Sequence, residues 1–126
     1  LDYFLKQRNS ISKFYKVKLK NLPVSFQHLE KGYFSSFHLM IIRLNFKKIK
    51  KNYEQVFNYL RRKNYFVNLH YFPLHLQPIF KKKGFKKGMF PNSEKYAQEA
   101  ISIPIYPKLE KKIINKFIEV LTKYIS

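Results

Sequence analysis

The chain has 126 residues, with 26 Lys or Arg against seven Asp or Glu, a formal charge of +19. It contains no cysteine, which excludes disulfides and thiolate metal sites. No apolar run reaches the ~20 residues that cross a bilayer, and one domain is the expectation at this length.

Residues 1–20 read as a helix, with Leu1, Phe4, Leu5, Ile11 and Tyr15 on one face. The "NLP" at Asn21–Pro23 stops it, and residues 24–34 read as a loop around Gly32. Ser36–Leu44, "SSFHLMIIRL" without its first serine, is short and apolar, so it predicts a strand buried on both faces. Helical spacing returns from Lys47 to Lys63, where Ile49, Tyr53, Val56, Phe57 and Leu60 form the stripe. "NYFVNLHYF", residues 64–72, reads as a second strand ending at Pro73. Residues 73–91 carry three prolines and two glycines and are expected to be irregular. Asn92 is a fair N-cap for a helix through about Ala100. Ile101–Pro107, "ISIPIYP", is a third extended piece, and its prolines assign it to a sheet edge. The last helix runs from Leu109 to Ile125, with Ile113, Phe117, Val120, Leu121 and Tyr124 inward. This order predicts an α+β fold, a small sheet of about three strands covered by helices.

The charge by itself points to nucleic acid or another polyanion. Only Arg8, Arg43, Arg61 and Arg62 are arginines, however, and base-reading proteins favour that forked side chain. Lys, Asn, Ile, Phe and Tyr all have A/T-rich codons, so genome composition explains much of the bias. "KKKGFKKG", residues 81–88, could grip phosphates, but a solvated lysine loop is the simpler reading.

The chemistry worth following lies in "NLHYFPLHLQP", Asn68–Pro78, which holds two of the four histidines. Zinc wants three or four converging ligands, and His70 and His75 have no Cys or Asp nearby, so no metal is expected. His38 sits mid-strand and reads as a satisfied core histidine; His28 is a loop residue. Glu94 falls in the first turn of its helix, where a negative charge is favourable. Ser35 and Ser36 precede a strand and form no nucleophile elbow. The residues alone therefore describe a basic α+β domain with one loop of interest and no complete catalytic set.

That loop carries a resemblance. "NLHYFPLHLQPIFKKKGFKKGMFPNSEKYAQEAISIPIYPKL" resembles the C-terminal region of the DegT/DnrJ/StrS sugar aminotransferases, pyridoxal-phosphate enzymes of fold type I. The shared pattern is His-Tyr at a strand end, then Pro-Leu-His-x-x-Pro, an aromatic, a Gly, an aromatic-Pro, a helix, and Pro-Ile-Tyr-Pro-x-Leu. Here it falls on His70, Tyr71, Pro73, Leu74, His75, Gln77, Pro78, Phe80, Gly84, Phe90, Pro91, Glu94, Ser102, Pro104, Ile105, Tyr106, Pro107 and Leu109. "SSFHLMIIRL" is similar to the family's Ser-Ser-Tyr-His-Leu strand, and "LDYFLKQRNSISKFY" to its interdomain helix. Among subfamilies the chain looks most like the aminotransferase that makes the 4-amino sugar on the pseudaminic-acid route.

The resemblance implies an interdomain-type helix over 1–22 and an aminotransferase-like small domain over 23–126, with the large lysine-bearing domain absent. It implies that His70, Tyr71 and His75 frame a sugar-nucleotide pocket or lock the loop against the large domain. Pro73, Pro78 and Tyr106 would shape the loop. The family uses pyridoxal phosphate to move an amino group from glutamate to a 4-keto sugar nucleotide. None of the family's lysine motif is found among these residues, so the chain alone is expected to bind no cofactor and to be inactive. Its expected partners are the large domain, a second subunit and the sugar nucleotide. The start at Leu1, in mid-helix, leads to the expectation of a piece of a longer protein, and no signal-like segment leads to the expectation of a cytoplasmic one. The competing class is a stand-alone basic module that binds a polyanion without chemistry; it predicts a steep salt dependence.

Overall fold

The computed structural model describes residues 1–126. Helix α1 spans Asp2–Lys18, with Asp2 in its first turn and Lys16 and Lys18 in its last, both favourable for the helix dipole. Ile11, Tyr15 and Leu19, four apart, are buried together. The expected stripe fails in the first turns: Leu1, Tyr3 and Phe4 are exposed, because nothing in this chain lies beneath that end of the helix. Farther along, the Asn9 side chain donates to the Ser35 carbonyl at 3.1 Å and ties the helix to the loop before the second strand.

Four strands form one antiparallel sheet in the order β1-β2-β4-β3: β1 is Val24–Phe26, β2 Met40–Leu44, β3 Asn68–Leu69 and β4 Ala100–Ile103. β1 falls in the expected loop. β2 is shorter than expected and is not buried on both faces; Met40, Ile42 and Leu44 are buried and alternate with half-buried Ile41 and Arg43. The other face meets only the end of the helix Pro91–Glu99, where Glu99 and Tyr96 engage Arg43, so the pattern is that of a largely one-sided strand. His38 consequently lies before the strand and is exposed, not in the core. β3 is far shorter than the expected 64–72 strand.

β4 corrects the edge assignment. It is central, paired with β2 on one side and β3 on the other, and all four of its residues are buried. Pro104 and Pro107 follow the last paired residue, so no ladder donor is lost. Met40 opposite Ile103, and Ile42 opposite Ile101, put four apolar side chains on one face.

Helix α2, Tyr53–Arg62, starts later than the apolar spacing suggests. Asn52 and Gln55 form a capping box there, with bonds of 2.9 Å in both directions. Val56 and Leu60 point to the core. Helix α5, Lys111–Ile125, buries Ile114, Phe117, Leu121 and Ile125. Phe117 and Leu121 are inward as expected, but Ile114 and Ile125 complete the stripe, leaving Ile113 exposed and Val120 and Tyr124 half-buried. The Tyr59 and Tyr124 rings stack with centroids 3.7 Å apart, joining α2 to α5. Helices α1, α2 and α5 thus share one core cluster with β2 and β4, the α+β arrangement expected.

Two short helices complete the chain. Helix α3, Pro78–Lys81, is one turn, and α4 spans Pro91–Glu99. Phe90, not Asn92, occupies the N-cap of α4, since Pro91 suits the first helical position and pushes Asn92 inside. No helix is long and apolar enough to cross a membrane.

Candidate functional site

The segment 73–91 is ordered by its own bonds, against the expectation of an irregular loop. A single 3-10 turn covers Leu74–Leu76, and Pro78 opens α3. Gly84, at φ 93°, ends α3: its N–H donates to the Lys81 carbonyl, and the Phe85 N–H donates back to the Phe80 carbonyl. With Phe80 edge-on to Phe85 at 6.0 Å, this is a Schellman-type stop. The lysines at 81–83, 86 and 87 are all exposed.

His70 is buried at the end of β3, with Nδ1 3.2 Å from the Leu69 carbonyl. Tyr71 stacks on it at 4.2 Å yet is 68% exposed. His75 is buried from the 3-10 turn, against the Phe90 ring at 4.8 Å. Its Nε2 lies 2.9 Å from Oε1 of Glu94. The same oxygen accepts the Gly88 N–H at 2.7 Å. These two bonds, His75 first, hold the Glu94 carboxyl below the ordinary glutamate range against the opposing effect of burial.

The structure brings the sequence-selected residues together unevenly. A cleft of about 240 Å³ is walled by Tyr53, Leu69, Tyr71, Phe72, Pro73 and Leu76, with Lys87, Glu94 and Gln98 at its polar side. Tyr71 and Pro73 line it; His70 and His75 are not among the lining residues. Pro78 starts α3. Tyr106 lies elsewhere, in a groove with Tyr65, Phe66 and Ile113, where its carbonyl accepts the Leu109 N–H at 3.0 Å and shapes the lead into α5. The sequence marks the lysine loop that includes Lys87 as able to grip phosphates, but it does not single out Phe72 and gives Glu94 only a helix-dipole role. The carboxylate's partners are 19 and six residues away, so no local pattern announces them.

Tyr53 joins the cleft wall to the sheet. Its hydroxyl donates to the Ala100 carbonyl at 3.1 Å, and burial pushes its pKa up to about 12. A larger cavity of about 690 Å³ opens near the β1 edge, lined by Arg43, Lys47, Lys48 and Lys95. There Arg43 is already engaged by Glu99 and lies under the Tyr96 ring. No three His, Asp or Glu side chains converge as metal ligands would.

A pyridoxal cofactor requires a lysine enclosed beside it to carry the amino-transfer chemistry. None of the 22 lysines of this chain is buried. No step through that group is assigned to these residues.

Comparison with known proteins places this geometry. The profile of the DegT/DnrJ/EryC1/StrS aminotransferase family matches residues 1–122. An uncharacterized protein of Methanocaldococcus jannaschii is 32% identical over 127 aligned residues, covering 96% of this chain and 32% of the other. The spore coat polysaccharide biosynthesis protein SpsC of Bacillus subtilis is 26% identical, covering 94% of this chain and 31% of the other. Among solved structures, Helicobacter pylori PseC, an aminotransferase involved in the biosynthesis of pseudoaminic acid, superposes with a TM-score of 0.85 at 17% identity. That overlap takes in 98% of this chain and 33% of PseC. The chain spans about a third of the length of the curated relatives SpsC and the M. jannaschii protein. With the family profile matching nearly end to end and the fold in agreement, this chain belongs to the DegT/DnrJ/EryC1/StrS aminotransferase family.

Proposed function

We propose that this chain is the C-terminal small domain of a nucleotide-sugar aminotransferase that uses pyridoxal phosphate, with glutamate as amino donor and a 4-keto sugar nucleotide as acceptor. The observation that carries the reading is the ordered 70–91 segment. It sets an aromatic cleft and a lysine turn side by side at the open end of β3. Aromatic walls with few polar groups suit the flat, apolar parts of a nucleotide sugar. Lys87 supplies a cation for its phosphates, and Tyr71 a half-free ring that a ligand can cover.

In this reading the chain binds and orients substrate and excludes water, while the cofactor, an electron sink, sits on a large domain outside these residues. His70 and His75 support the cleft wall from behind. The product would feed amino-sugar and surface-glycan synthesis, and the assembly would need a second subunit and a cytoplasmic setting. The similarity to PseC favours the pseudaminic-acid route as the place of that reaction.

The test is the size and activity of the native protein. An immunoblot against this domain should show a band well above 15.4 kDa. The protein in that band should aminate a UDP-4-keto sugar from glutamate. The isolated chain, titrated with pyridoxal phosphate, should show no saturable one-to-one aldimine absorbance, and borohydride should fix the reagent only diffusely over its exposed lysines. A native band near 15 kDa, or stoichiometric labelling of one lysine in the isolated chain, overturns the reading.

A further inference from the structure

Three segments meet at one oxygen. Oε1 of Glu94, in α4, receives Nε2 of His75 from the 3-10 turn and the N–H of Gly88 from the lysine turn. Both side chains of the pair are nearly enclosed, His75 at 8% and Glu94 at 11% exposure. The lysine turn has little else to hold it. Between Phe85 and Phe90 its own bonds are Met89 N–H to the Lys86 carbonyl at 3.3 Å and Lys86 N–H to the Met89 sulfur at 3.2 Å. Five lysines lie between 81 and 87, and no acidic residue occurs between Glu54 and Glu94. Like charges repel, and the Glu94 carboxylate lines the cleft together with Lys87, the last of the five.

We infer that Glu94 is a positioning residue: its carboxylate latches the Gly88 turn to His75 and thereby fixes Lys87 against the aromatic wall of the cleft. The inference deepens the proposed function and rests on it for the identity of the ligand, though not for the latch itself. Gly88 sits at φ 93°, a conformation that glycine adopts freely, so the turn stays in place through its external bond to the carboxylate. An ordinary helix cap would explain only the α4 end. It would not need His75, which comes from another turn and uses its ring nitrogen on the same oxygen.

The latch is tested on the isotope-labelled 126-residue chain at neutral pH by amide exchange and His75 ring-nitrogen shifts. Glu94→Ala should speed Gly88 exchange about tenfold or more, the scale of a lost charge-assisted bond, and should move the His75 Nε2 signal. Ile101 and Ile103 amides in β4 should stay as protected as before. Glu94→Gln, which keeps length and an acceptor oxygen, should recover most of the Gly88 protection. If alanine unfolds the chain, Glu94→Asp, one methylene shorter, is read in its place and should raise Gly88 exchange severalfold. Unchanged Gly88 exchange and unchanged His75 shifts in a folded variant overturn the latch, as does a loss confined to α4 amides.

Uridine diphosphate then probes the cleft. Shifts at Tyr71 and Lys87 in the native chain, weakened in Glu94→Ala, are the expected result. Equal binding by both overturns the positioning role. An intact latch with no response to uridine diphosphate in either protein counts against the proposed function alone.

Discussion

Tyr15 and Glu94 are the two side chains whose removal the fold should report most clearly. Tyr15 is fully buried, edge-on to Phe117 at 6.1 Å, and its hydroxyl donates to the Pro104 carbonyl at 3.0 Å. Tyr15→Phe leaves that carbonyl without its donor and should cost about 1 kcal/mol, read as a lower urea midpoint with the slope unchanged. Burial raises the Tyr15 pKa from its ordinary 10.0. A folded value above the unfolded one means stability that is whole below pH 10 and falls as the pH climbs past it. The phenylalanine variant should lack that part of the alkaline loss. Glu94 has the opposite sign. Its folded pKa lies below the ordinary 4.5, so its stabilisation is whole above pH 4.5 and disappears as the pH falls further, through the folded value. His75 and Lys87 are the charged or titratable groups that face it. Gly88 protection should accordingly be flat above pH 4.5 and fall in more acid solution, and Glu94→Ala should show no such fall.

Among the elements, α2 owes its starting point to one exposed residue. The run from Lys47 has helical apolar spacing, yet Lys47 and Lys48 are held in a turn by Asn45, whose side chain and carbonyl accept their N–H groups at 3.2 and 2.9 Å. Asn52 then caps the helix proper. Asn52→Ala should cost about 1 kcal/mol in thermal or urea unfolding, since it removes the side-chain acceptor of the Gln55 N–H at an open site while the backbone N–H of residue 52 keeps its bond to the Gln55 side chain. A change under a few tenths would mean that Ile49, Val56 and Leu60 set the helix start through the core instead. The short strands behave differently. β3 has two residues and β1 three, so each holds through its neighbour and not through its own length.

At the scale of the whole molecule, apolar exposure and charge oppose each other. Phe4, Phe66, Leu74 and Ile79 are about half exposed or more, on several sides of the molecule. Such area favours association, while +19 charges resist it. Screening shortens from about 10 Å at 0.1 M salt to about 3 Å at 1 M, so self-association should rise with salt in sedimentation velocity. A monomer at every salt concentration would argue that these faces need no cover.

Legible in the residues alone were the family resemblance, the α+β class, the four helices that became α1, α2, α4 and α5, and the inward positions Ile11, Tyr15, Val56, Leu60, Phe117 and Leu121. Those follow from local periodicity and from a dense motif around His70 and His75, which a single chain displays directly. Only the packing of elements made β4 the central strand, put Ile114 and Ile125 in place of Ile113 and Tyr124 on the inner face of α5, and left Leu1 and Phe4 uncovered. Each of these depends on which element happens to lie alongside, and residue spacing carries no such information. The same holds for the site. Tyr71 and Pro73 belong to the motif and line the cleft, but the Glu94 latch joins residues 75, 88 and 94 across three turns. Only the folded chain brings their donors to one oxygen.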